Sequence, residues 1–195
     1  MEIISKSPVG RGANSSAGKL RLLISGFSQQ QVVSVGQIVA ALDLLPNHHI
    51  EGLREIVYAP FGLPGEAWPR YPARASGHRK GEFRQKERRI VLYEVDSLDL
   101  LLHVLHHEIG HFVFFLALNS RVKKRWVTEI FPGSQCITRY GALNASEDFA
   151  ETYACYARQP ESLQQQLPAK FAYMRDWVFS GKAETLKEKN RAAFG

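Results

Sequence analysis

The sequence predicts an α+β fold: a small twisted sheet packed on one long helix, followed by a mainly helical C-terminal half. Three observations lead there. Short β-leaning runs, Leu20–Ile24, Arg54–Tyr58 and Ile90–Val95, fall in the first half of the chain, and their length and β-branched content suit strands. Leu98 to Leu118 is one long apolar run opened by helix-capping residues. From Ala145 onward, caps and prolines mark off successive helical stretches.

Residues 1–19 are rich in Gly, Ser and polar groups and read as a loosely ordered arm that Ile3 and Ile4 could anchor; residues 20–195 read as a single domain. In Gln29–Leu45, Val32, Val35, Ile38, Val39 and Leu42 recur mostly at three or four, an amphipathic helix stopped by Pro46. Arg54–Tyr58 ends before Pro60. Pro64–Arg89 carries eight basic side chains against three acidic ones, and Gly65, Pro69, Pro72, Gly77 and Gly81 break any long helix in it. Ile90–Val95 is the next strand, and Asp96 or Ser97 caps the long helix by accepting from its free first-turn amides. Trp126–Ile130 reads as a short strand or the start of a loop, and Pro132–Asn144 as loop. Asn144 or Ser146 caps a helix over Ala145–Arg158 that Pro160 closes, and Asn144 with Glu147 has capping-box spacing. Ala169–Phe179 and Ala183–Phe194 complete the helical tail.

With 195 residues, 45% hydrophobic and 23% charged, the chain has the composition of one globular domain and not of a disordered one. Its 25 Lys and Arg against 19 Asp and Glu give a net charge of +6, most of it from Pro64–Arg89. Such a charge permits an anionic partner without requiring one. A nucleic-acid partner is disfavoured, because only Trp68, Tyr71 and Phe83 interleave the basic residues and no recognition helix is apparent. Cys136 and Cys155 are too few for a disulfide framework, though one bridge between them is left open. No secretory leader is recognisable, and the most apolar stretch carries Asp99, His103, His106, His107, Glu108 and His111, which argues against a membrane span. The expected location is therefore cytoplasmic by default. Delivery without a cleaved leader would look the same.

The sharpest motif is His107-Glu108-Ile109-Gly110-His111. On a helix, a spacing of four turns both imidazoles to one face, where they can converge on one ion. Glu108 leaves on a neighbouring line and can serve a water as general base without binding the metal, the arrangement of zinc peptidases. Gly110 leaves room for the close approach of another strand or a ligand. His103, His107 and His111 would form a row about 12 Å long, too long to share one zinc, and His106 points elsewhere. His103 and His106 are therefore packing or supporting groups.

A catalytic zinc commonly takes three protein ligands. The third is expected from Ser146–Glu151, where Glu147 and Glu151 share a helix face and repel unless positive charge joins them. One can ligate while the other accepts the free N–H of a ligand histidine. Tyr140, in the loop before this helix, could donate to the oxyanion that forms when water attacks a carbonyl. Tyr153 and Tyr156 compete for that role from less mobile helical positions.

His107-Glu108-x-x-His111, Tyr140-Gly141 and Glu147-Asp148-Phe149-Ala150-Glu151 together resemble the zinc protease domain of anthrax lethal factor and the related secreted Pro–Pro endopeptidases. The likeness spans Ile90 to about Tyr156. It implies a zincin-like metalloprotease fold, one zinc ion per chain held by His107, His111 and Glu147, Glu108 as the base, Glu151 as support and Tyr140 as oxyanion donor. The implied activity is a zinc-dependent endopeptidase. A weaker resemblance, to small regulatory zinc peptidases that clip bacterial repressors, offers an alternative, as does a non-catalytic zinc-binding interaction domain. Asp148 departs from the lethal factor, which has an apolar residue there. The strand Ile90–Val95 is expected to form the upper edge of the cleft, where a peptide or protein segment binds in extended form. The basic segment before it could guide acidic substrate or order as a lid. Nothing in the sequence fixes an oligomeric state.

Overall fold

Five strands form one mixed sheet: β1 (Glu2–Lys6), β2 (Leu20–Ser25), β3 (Glu55–Tyr58), β4 (Gly81–Arg84) and β5 (Arg89–Leu92), in the spatial order β1-β2-β3-β5-β4. The computed structural model describes residues 2–6, 20–63, 65, 80–94 and 96–180, those up to 21 through the backbone alone. β2, β3 and β5 run parallel, while β1 and β4 flank them antiparallel. The arm is thus ordered at its start, where Glu2–Lys6 pairs with β2 from Glu2↔Ile24 to Lys6↔Leu20; residues 7–19 lie outside the described residues.

Parallel register places Ile24 beside Ile56 and Ile56 beside Ile90, a row almost wholly buried on the helical side of the sheet. Parallel strands need a crossover, and α1 (Val35–Asp43) supplies it between β2 and β3. It is shorter than the Gln29–Leu45 periodicity suggests. The Gln30 side chain takes up the polar groups of the preceding turn, bonding to Phe27 O, Val33 O and Val33 N. Ser34 then opens the helix through a reciprocal capping box with Gln37.

α2 (Leu98–Phe112) starts on Ser97, whose hydroxyl accepts from Leu100 N, and runs on through a wide π-helical turn, Val113–Ala117. It packs against β4 and β5 on one side and a later helix on the other. Leu98–Ala117 is the one helix among the described residues long and apolar enough to cross a membrane, and 61% of its most apolar window is buried within the fold. That burial marks a core helix.

α3 (Ser120–Arg125), capped by Asn119, continues as a second wide turn over Trp126–Ile130. The strand or loop expected there is corrected to helix. The β-leaning side chains are overruled by Trp126, which is fully buried between Phe149 and Tyr173 and donates its indole N–H to Ala145 O. α4 (Ala145–Arg158) has the predicted bounds, and Pro160, which ends it, also opens α5 (Pro160–Gln166). α6 (Pro168–Tyr173) with its wide turn to Val178 matches the next expected helix; Ala183–Phe194 lies outside the described residues. Cys136 and Cys155 are both free.

The sheet-forming half of the chain is tied to the helical half through His49, in the short turn between α1 and β3. Its Nε2 lies 3.0 Å from Val178 O and its Nδ1 2.8 Å from the Tyr153 hydroxyl. A carbonyl only accepts, so Nε2 carries the proton and Nδ1 accepts from tyrosine. Burial, with help from neighbouring His48, lowers the imidazole to about 3. The folded value lies below the unfolded one of about 6.5, so this stabilisation is complete above that pH and is lost as pH falls toward 3. Urea denaturation is expected to show stability declining below pH 6.5 by up to about 1.4 kcal/mol per unit from this residue. His49→Gln should flatten that slope, and an unchanged slope would contradict the assignment.

Candidate metal centre

Two helix faces build the centre. α2 supplies His107 and His111, one turn apart, with ring centroids separated by 4.7 Å. α4 crosses it with Glu147 and Glu151, also one turn apart. The close crossing depends on Gly110. A Cβ there would stand 2.9 Å from Ala150 Cα and 3.3 Å from Ala150 O. The room left by Gly110 is therefore filled by a helix, where a strand or ligand was expected.

Asn144 caps α4 by accepting from Ser146 N and Glu147 N at 3.0 Å each. Only this half of the expected capping box forms, and the Glu147 carboxylate turns to the imidazoles instead. Its Oε2 lies 3.3 Å from His107 Nε2 and 3.2 Å from His111 Nε2. Behind it, Glu151 Oε1 accepts from His107 Nδ1 at 2.7 Å. That bond fixes the His107 tautomer and leaves the Nε2 lone pair facing the pocket.

These atoms could hold a metal ion. One ligand atom from each of His107, His111 and Glu147 falls in a cluster no wider than 4.8 Å. Tetrahedral bonds of about 2.0–2.1 Å put neighbouring ligand atoms about 3.3 Å apart, which matches the two spacings to Glu147. Glu147 Oε2 is buried, yet neither imidazole nitrogen meets it along a hydrogen-bond direction. A shared cation would satisfy that buried oxygen together with both imidazoles. Two imidazoles and a carboxylate suit zinc.

The electrostatics agree. Burial opposes charge on both partners, but the carboxylates of Glu147 and Glu151 outweigh it and hold His107 up at about 9, while the two histidines hold Glu147 down at about 2. Glu151 is depressed for the same reason, by His103 and His107 against its burial. The cluster thus calls for positive charge, and a metal competes with the proton for it.

Glu108 is 6% exposed, and burial is the main cause of its raised pKa. Gly81 of β4 lies directly over it. A Cβ at Gly81 would come within 3.1 Å of Glu108 Oε1 and 2.6 Å of Val104 Cγ1. Tyr140 is 52% exposed, with its ring 5.8 Å from that of His107. Its two competitors are engaged elsewhere: Tyr153 is fully buried on His49, and Tyr156 packs on Phe171 and Phe179. His103 Nε2 lies 3.6 Å from Glu151 Oε1, behind the centre. His106 is buried, and chiefly for that reason lowered to about 4.

Glu108, His107, His111, Glu147, Tyr140 and Phe115 share a cleft of about 340 Å³ with Gly81, Glu82 and Phe83 of β4. A hollow of about 390 Å³ between Ile24 and Val35 has no ionisable side chain in its lining. Among the described residues the strand bordering the cleft is β4, at the end of the sheet, while β5 lies between β3 and β4. This corrects the expectation that Ile90–Val95 forms the edge. The missed signal was a pair of four-residue runs, GEFR and RIVL, separated by the polar turn Gln85–Arg88, which is hairpin spacing. Of the basic segment, residues 64 and 66–79 lie outside the described residues. Lys80, Arg84 and Arg89 are paired with Glu94, Glu82 and Glu55.

No protein-family model matches the sequence, and a search of curated proteins finds no match.

Proposed function

We propose that the protein is a zinc-dependent endopeptidase with a zincin-like fold, acting on peptide segments bound in extended form. One observation carries the reading: the lone-pair atoms of His107, His111 and Glu147 converge within 4.8 Å, beside a carboxylate on the same helix that is not among them. Zinc held there supplies the Lewis acidity that makes a water nucleophilic near neutral pH and polarises a carbonyl.

The protein's own groups do the rest. Glu108 takes a proton from the water as its oxygen bonds to the scissile carbonyl carbon, and returns it to the amine nitrogen as the C–N bond breaks. A burial-raised pKa suits it to both halves of that exchange. The Tyr140 hydroxyl donates to the carbonyl oxygen while negative charge builds there. Glu151 holds the His107 ring in the ligating tautomer. β4 ends the sheet at the cleft, so a substrate can add to it as a further strand.

Elemental analysis is expected to find about one zinc per chain. Chelation should abolish cleavage of a mixed peptide library and added zinc should restore it. A zinc-loaded protein that cleaves no peptide would favour the non-catalytic zinc-binding reading over this one.

A further inference from the structure

Asp148 follows Glu147 directly, so the two side chains leave α4 about 100° apart. Glu147 faces the imidazoles, and Asp148 enters the core. There its Oδ1 meets Lys170 Nζ of α6 at 2.5 Å, with both side chains wholly buried. The ammonium also lies 5.7 Å from the centre of the Trp126 ring. A buried ion pair is a poor source of stability, since apolar residues of similar volume often do as well or better. What it adds is a short charge-assisted contact that joins α4 to α6 beside Glu147.

The loop before α4 meets the same residue. The Cys136 thiol lies beside the Asp148 carboxylate, whose Oδ2 has no N–H or O–H donor. A Cβ on Gly141 would stand 3.4 Å from Asp148 Cα and 3.6 Å from both Cys136 Cβ and Glu151 Cγ. Asp148 therefore sits where three pieces join: the turn bearing Glu147, the loop bearing Tyr140, and α6. Metal–ligand distances fall within about 0.2 Å of their standard values, and that junction lies one residue from Glu147.

We infer that Asp148 and Lys170 are positioning residues of the metal centre, holding Glu147 and the Tyr140 loop in place through the first turn of α4. The inference rests on the zinc peptidase reading. Its test compares zinc affinity, by competition with a chromophoric chelator, in the full-length parent, Asp148→Asn and the double variant Asp148→Leu/Lys170→Met. Far-UV circular dichroism and the metal-free Tm report folding. The double variant is expected to melt near or above the parent, because it removes both buried charges together, and yet to bind zinc roughly tenfold more weakly. Asp148→Asn, equal in size but uncharged, should also lose about tenfold; it leaves Lys170 buried without its partner and should melt below the parent, and its affinity, read at a temperature where circular dichroism shows it folded, decides the matter if the double variant does not fold. Parent-level zinc affinity in either folded variant would show the pair to be structural only. A parent that binds no zinc would remove the peptidase reading beneath it as well.

Discussion

Glu108→Gln is expected to keep its zinc and to lose peptide hydrolysis by roughly 10²–10⁴-fold. Glutamine fills the same volume, and its amide can still accept from the Phe83 N–H that meets Glu108. It cannot take a proton from water near neutral pH. The metal set of His107, His111 and Glu147 is untouched, so zinc content should equal the parent's. The metal-free variant should be as stable as the parent or more so, because a carboxylate whose ionised form is penalised by burial has been replaced by a neutral group. Gain of stability with loss of turnover marks a group kept for chemistry. Stopped-time peptide cleavage, zinc analysis and a thermal melt on one preparation check all three. Parent-rate cleavage would remove Glu108 as the base.

Gly110→Ala is expected to weaken zinc binding at least tenfold while leaving every ligand in the sequence. The added Cβ would lie 2.9 Å from Ala150 Cα, against 3.4 Å for the nearest ordinary contact. The obstacle is backbone, so the helices must separate by about half an ångström, beyond the roughly 0.2 Å a metal site tolerates. Alanine gains up to about 1 kcal/mol in helix propensity, but overpacking a helix crossing costs about 1–3 kcal/mol. The net effect on the metal-free fold should be modest destabilisation, distinct from the loss of affinity. Chelator competition and urea denaturation separate the two. Undiminished zinc affinity would show that the crossing distance does not set the site.

What was legible in the sequence had local causes. Asn144 and Pro160 bound α4 because a cap and a proline act within one turn. His107 and His111 face one way because helical spacing alone requires it. What was not legible depended on partners distant in the chain. β4 was hidden because Gly81 reads as a breaker, and its purpose, to let a strand lie on Glu108, exists only in three dimensions. Trp126–Ile130 carries strand-like side chains and is helical because Trp126 anchors it beneath α4. The pairing of Asp148 with Lys170 spans 22 positions and has no periodic signature. The choice between Glu147 and Glu151 as ligand needed the resemblance at the level of sequence. In the fold Glu147 is the carboxylate that clusters with both imidazoles, while Glu151 accepts from His107 Nδ1 behind it.

One zinc shared by imidazoles from α2 and a carboxylate from α4 has a distinct spectroscopic signature. X-ray absorption at the zinc edge of the loaded protein measures this directly. The expected first shell is nitrogen and oxygen at about 2.0–2.1 Å with the multiple-scattering pattern of two imidazoles, falling to one in His111→Ala. A shell containing sulfur at about 2.3 Å, or one unchanged by His111→Ala, would contradict it.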